Sequence, residues 1–367
     1  MTVDRCPGVL RPHQAADGAM VRIRIPGGQL TGTALAALGA AADTFGSGVL
    51  HLTSRASLQV RGLPPALPPA FEDAITAAGS LPSPTHERVR NVVCSPLTGL
   101  SGGRADLRSM VAALDRAVLA EPALALLSGR FLFGLDDGRG DTVALRPDLG
   151  YLALDPSRGR IVVGGRGREV PARDAVDELV GLALDFAAAA EPVGAWRVSD
   201  LPGWVAGLGG LESVSLPEAE LMPLGAVGPH ASVAVPLGFL APEQWRAVVE
   251  AAEGGRVVVT PWRGLVVAGA ADRLAGLAAS GLVASSASPW TAISACVGAP
   301  WCAHGRVDTQ ALVRSAVDPA LDDGAEAAWP RTHVSGCERR CGAPVGAHRD
   351  LVAPTRDQLL AEVLTHA

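Results

Sequence analysis

Four of the chain's six cysteines fall into two short groups near its end, Cys296 and Cys302 in "ACVGAPWC" and Cys337 and Cys341 in "GCERRC". Thiols so placed pair, bind metal or do redox chemistry. The first thirty residues lack the long apolar core of a secretory signal, and no uncharged apolar run reaches membrane-spanning length. A cytoplasmic home is therefore expected, where disulfides are disfavoured and metal or redox duty becomes the better explanation. Structural zinc prefers tighter knuckles than a five-residue and a three-residue spacer, whereas a cubane iron–sulfur cluster takes four thiolates in a wider cage. The expected donors to a [4Fe–4S] cluster are Cys296, Cys302, Cys337 and Cys341, with zinc or unrelated buried thiols as alternatives. Cys6 is expected in a mobile terminus, Cys94 as a buried apolar thiol, and His304, His333 and His348 as structural or surface residues.

Around this centre the composition is that of a globular chain: 367 residues, 48% hydrophobic and 19% charged. The net charge is −6, and every one of the 31 basic residues is an arginine, a bias of base composition for the most part. It still has a chemical consequence. Any cationic contact to a substrate must be a guanidinium fork, suited to carboxylates and oxyanions. Net acidity and the lack of an arginine stripe argue against nucleic-acid binding.

The elements that must position the thiols are read from an internal repeat. Residues 23–62 and 233–269 match in register: Pro26, Gly28, Leu35 and Leu38 with Pro236, Gly238, Trp245 and Val248, then Thr53, Leu58, Val60 and Gly62 with Thr260, Leu265, Val267 and Gly269. Each copy shows a short alternating strand, an apolar period near that of a helix, and a β-branched strand pair. Two such units predict an α+β pseudo-dimer. The expected divisions are 1–85 and 201–285 for the repeated units, 86–200 for a first α/β domain and 286–367 for the cysteine domain.

The cysteine pattern following two "PGG…HLTSR…G"-type repeats resembles the sirohaem sulfite and nitrite reductases over nearly the whole chain. The resemblance implies two pseudo-symmetric halves, each a ferredoxin-like half-domain followed by a mixed α/β domain, with Cys341 turned toward a tetrapyrrole. By the same resemblance "RIRIPGG" implies substrate contact at Arg24, "VRNVVC" at Arg90 and "SGRFLF" at Arg130, the three catalytic candidates. "HLTSRASLQVRG" implies tetrapyrrole contacts from His51, Thr53, Arg55 and Gln59. "VVGGRGRE" lacks a full dinucleotide fingerprint, and the resemblance makes Gly164 and Gly165 part of a loop lining the macrocycle.

Two departures matter. Where the reductases place a second basic residue this chain has Leu132, which cannot hold an anion or deliver a proton. Arg339 and Arg340 replace a neutral linker, a placement suited to macrocycle carboxylates. With "SACVGAPWCAHGRVDT" and "THVSGCERRCGAPVG", these make the chain more similar to the precorrin-3B synthases, a shortened branch of the same family. That resemblance implies a monooxygenase of aerobic cobalamin biosynthesis: O2 hydroxylates precorrin-3A at C20 and a ring A acetate closes a γ-lactone. NAD(P)H electrons would arrive through an external reductase or ferredoxin. The implied cofactor is the [4Fe–4S] cluster, with sirohaem or an additional iron as further candidates. A sirohaem-dependent sulfite or nitrite reductase is the first alternative, and a non-catalytic tetrapyrrole-binding or electron-transfer protein the second.

Overall fold

The computed structural model describes residues 4, 6–322, 329–344 and 346–364. In chain order the first unit comprises β1 (His13–Ala15), β2 (Gly18–Ile23), β3 (Gln29–Thr31), α1 (Gly32–Phe45), β4 (Leu50–Leu52), β5 (Leu58–Leu63) and α2 (Pro69–Ala77). The α1 helix starts where the Thr31 hydroxyl accepts from the Ala34 N–H and buries Leu35, Leu38 and Ala42. A second unit follows with β6 (Val92–Cys94), α3 (Arg108–Ala120), β7 (Phe133–Asp136), β8 (Leu149–Ala153), β9 (Arg158–Val163), β10 (Arg166–Pro171), α4 (Ala175–Ala190), α5 (Pro202–Gly207) and β11 (Glu212–Ser213).

The repeat then returns as β12 (Gly225–Val227), β13 (His230–Ala234), β14 (Phe239–Leu240), α6 (Pro242–Ala252), β15 (Arg256–Val259), β16 (Gly264–Val267) and α7 (Leu274–Ala279). Last come β17 (Ile293–Ala295), α8 (Thr309–Asp322), β18 (Thr332–Ser335), β19 (Arg349–Val352) and α9 (Arg356–Leu364). Among the described residues no helix is long and apolar enough to cross a membrane.

The two repeats are interlocked. One five-stranded sheet runs β1-β2-β5-β4-β14 and the other β12-β13-β16-β15-β3, so each repeat lends a short strand to the sheet of the other. Their inward faces and the helices α1 and α6 form one core, including Leu35, Leu38, Leu58, Val60, Val248, Leu265 and Val267. In α1, a Cβ at Gly39 would lie 2.6 Å from the Trp245 ring of α6, so a glycine that weakens a helix by about 1 kcal/mol permits the close crossing. Backbone conformation follows the pseudo-symmetry even where residue type does not. Gly27 and its counterpart Leu237 both take positive φ (63° and 56°), as do Ala56 and Arg263 (51° and 58°).

Outside this centre lie a six-stranded mixed sheet, order β11-β10-β9-β8-β7-β6, and a three-stranded parallel sheet, β17-β18-β19. Each has its own core, the latter around Trp290, Val313, Val317 and Val334.

Candidate functional site

Because β2, β4, β5 and β14 pair in register, one row of side chains crosses the first sheet on its outward face: Phe239 opposite His51, His51 opposite Gln59, Gln59 opposite Arg22. Alternation sends Leu50, Leu58, Val21 and Ile23 into the core and leaves this face polar. In the orientation its donors require, the Gln59 amide oxygen accepts from Arg22 Nη2 and Nε at 2.7 and 3.0 Å. The His51 ring packs edge-on to Phe239 at 4.5 Å, and burial, then the Arg61 charge, lower its pKa to about 3. It is therefore neutral at physiological pH.

Next along β5, Arg61 is held by both oxygens of Asp17 (2.9 and 2.7 Å) and donates from Nη2 to the Trp301 carbonyl at 2.9 Å. Trp301 is the residue before Cys302. The first sheet's polar face thus meets the first cysteine loop.

The turn after β4 completes this wall. Thr53 Oγ1 accepts from the Arg55 and Ser57 N–H groups, closing the turn. Arg55 Nη1 donates to the Gly129 carbonyl at 3.2 Å, and burial, then the Arg197 and Arg22 charges, bring its pKa down to about 10. Arg24 is 2% exposed, and among the described residues none of its three guanidinium nitrogens has a hydrogen-bond partner. Burial, then Arg22, lower it to about 9. A buried guanidinium without an acceptor is costly, so this wall is built for an anion.

Both cysteine loops leave the C-terminal ends of adjacent parallel strands, Ala295 of β17 lying opposite Val334 of β18. The Gly336 N–H donates to Cys296 Sγ at 3.1 Å, and the Arg306 N–H bonds the Gly336 carbonyl. Gly298 has φ 65°, and a Cβ there would lie 2.4 Å from Thr309 Oγ1, so only glycine lets the loop close. Burial first, then the charges of Cys296, Cys337 and Cys302, raise the Cys341 thiol. Among the described residues no group of three or more His, Cys, Asp or Glu closes around a single metal ion. A cubane cluster instead takes one thiolate on each of four irons, and two facing loops supplying four thiols fit it.

Several expected contacts lie elsewhere. Arg90 is buried, but its Nε and Nη2 grip the Asp115 carboxylate, both at 2.8 Å, and Nη1 donates to the Ser80 carbonyl. It lines a cleft of about 640 Å³ with Arg24, Arg108 and Arg256, yet most of its donor fork is already committed. Arg130 is exposed and stacks over Trp196 at 4.3 Å. Leu132 is buried against Ala56 and Val93, a small apolar knot under the Thr53–Ser57 turn. Arg340 pairs with Asp350 and Glu338, while Arg339 is exposed. Gly164 and Gly165 form the two-residue turn between β9 and β10, both at positive φ as such a hairpin requires, and lie beside Val205 and Val214. Arg22, not singled out by motif, does belong to the row; two-residue alternation from Arg24 was the signal for it. Cys6, expected in a mobile terminus, packs on Gly129 beside the arginines.

A model of the nitrite/sulfite reductase ferredoxin-like half domain matches residues 11–78. The precorrin-3B synthase of Sinorhizobium sp is 27% identical over 95% of this chain and 80% of its own length. The chain is thus similar to a precorrin-3B synthase over nearly its whole length. It is also 38% identical, over 24% of its length and 16% of the relative's, to the sulfite reductase [NADPH] hemoprotein beta-component of Acidithiobacillus ferrooxidans. In fold it is similar to the Mycobacterium tuberculosis NirA protein, with a TM-score of 0.68 at 19% identity, covering 88% of this chain and 69% of that one.

Proposed function

We propose that the protein is a precorrin-3B synthase that hydroxylates precorrin-3A at C20 with γ-lactone formation, in a cleft between the first sheet's polar face and the cysteine loops. The observation that supports this reading is similarity to precorrin-3B synthase over 95% of the chain, joined to a polar face whose Arg61 bonds the first cysteine loop and whose Arg24 is buried and unsatisfied among the described residues. The substrate's acetate and propionate groups are anions for Arg24, whose fork can take a carboxylate two oxygens at a time, and for the nitrogens that Arg22 and Arg55 do not spend on Gln59 and Gly129. Neutral His51 and the Gln59 amide offer hydrogen bonds without adding charge. Leu132 seals the turn against water and supplies no proton.

Cys296, Cys302, Cys337 and Cys341 would hold a [4Fe–4S] cluster, which supplies one-electron transfer when bound. Overall, one oxygen atom enters the substrate and the other leaves as water, with two electrons and two protons delivered from NAD(P)H through a separate reductase or ferredoxin. Anaerobically reconstituted protein given precorrin-3A, reductant and isotopically labelled O2 should yield a product heavier by one labelled oxygen atom. Unchanged precorrin-3A would defeat the proposal. A sirohaem-dependent reductase predicts instead tightly held sirohaem in the purified protein.

A further inference from the structure

Each repeat sends one arginine to one cysteine loop. Arg61 of the first donates to the carbonyl of Trp301, the residue before Cys302, and Arg263 of the second donates from Nη2 to the carbonyl of Gly342, the residue after Cys341, at 3.2 Å. The two charges are balanced differently. Arg61 is neutralised by both oxygens of Asp17. Arg263 is half-buried, no carboxylate among the described residues pairs with it, and burial alone lowers its pKa.

The molecule makes room for this side chain. Arg263 sits in the turn between β15 and β16 at φ 58°, a conformation unfavourable to any residue with a Cβ, while Ala56 holds φ 51° at the corresponding turn of the first repeat. The turn itself therefore needs no guanidinium. Two glycines at positive φ flank the path of the side chain: a Cβ at Gly238 would lie 2.9 Å from Arg263 Cδ, and one at Gly342 would lie 2.9 Å from Nη2.

Taking a charge out of water is costly unless an opposite charge meets it. A cubane core held by four thiolates is a net anion in its oxidised and its reduced form, and its potential follows the charges and hydrogen bonds around it. We propose that Arg263 is the counter-charge of the cysteine centre: it positions the second cysteine loop through the Gly342 carbonyl and, having no carboxylate of its own, favours the reduced cluster. This rests on the reading that the four cysteines hold a [4Fe–4S] cluster. Arg61, neutralised by Asp17, positions the first loop without that electrostatic effect.

The test compares wild type, Arg263→Ala and Arg263→Lys as full-length chains, reconstituted anaerobically, assayed for iron and sulfide, and titrated with reductant under paramagnetic resonance. The alanine variant keeps the turn, since Ala56 adopts the same backbone conformation. At a fixed potential Arg263→Ala should hold roughly tenfold less reduced cluster relative to oxidised, a fall in midpoint of about 59 mV for one electron, and Arg263→Lys should restore most of it. An unmoved midpoint in Arg263→Ala, or an equal fall in both variants, overturns the counter-charge and leaves the cluster standing. Wild type that takes up neither iron nor sulfide overturns the cluster reading and the counter-charge together. Uroporphyrin III, an octacarboxylate tetrapyrrole, should bind wild type and Arg263→Ala equally; weaker binding to Arg263→Ala with an unmoved midpoint would make Arg263 a carboxylate contact instead.

Discussion

The two sheets of the interlocked centre are built alike and finished differently. On the first, the outward row reads Phe239, His51, Gln59, Arg22; on the second, the equivalent row reads Gln29, Val258, Val266, Ser232. Where the first turn has Arg55 the second has Trp262, and where Arg24 follows β2, Ala234 ends β13. Val258 and Val266 are covered by Leu97, with Leu100, Met222 and Val227 against them. One face is open to charge and looks at the cysteine loops; its twin is closed with aliphatic side chains. Duplication provides two platforms, and a handful of substitutions decides which one binds and which one is core.

The comparison can be broken most severely at the thiols. Cys341→Ser should abolish both the visible absorption of the reconstituted cluster and product formation, because it removes one of four corner ligands. Retention of the full spectrum would detach the first face from any cluster chemistry. Closure of the second face is tested by Leu97→Ala. Removing a buried leucine there should cost about 2–5 kcal/mol of unfolding free energy in urea, with uroporphyrin affinity unchanged; an affinity loss of similar size would mean that the second face also binds.

Smaller again is the effect expected of Arg22→Ala. Loss of a charge-assisted bond, about 1.5–3 kcal/mol, should lower uroporphyrin affinity roughly 10–100-fold, while Ser232→Ala at the equivalent position leaves it unaltered by the same titration. A pH effect is confined to the first row. His51 accepts a proton below about 6.5 in the unfolded chain but only near 3 in the folded one. Its contribution to stability is therefore complete above about 6.5 and is lost as pH falls toward 3. Urea midpoints of wild type and His51→Gln should converge on acidification through that window; parallel curves would show that His51 titrates freely.

Much of this was written in residue spacing. The repeat announced the pseudo-symmetric fold because Pro26, Gly28, Thr53 and Gly62 recur in step, and the two cysteine pairs marked the loops that β17 and β18 bring side by side. What was hidden depends on pairing across the chain. Neither Gln29–Thr31 nor Phe239–Leu240 carries a signal saying which sheet it will join, since a strand of two or three residues satisfies its backbone wherever an edge is available. Arg90 looked like an anion contact until Asp115 on α3 was found beneath it. Cys6 looked unattached because Gly129, on which it packs, lies far along the sequence.

The lent strands have a consequence for synthesis. Gln29 leaves the ribosome about 230 residues before Val258, the partner it bonds in the second sheet. At typical elongation rates of about 5–20 residues per second, that interval is about 10–45 s. For that time the first repeat can complete neither its own sheet, which awaits Phe239, nor the shared core. A nascent chain stalled short of β16 should therefore stay protease-sensitive and chaperone-bound, and one stalled beyond it should become resistant in a single step.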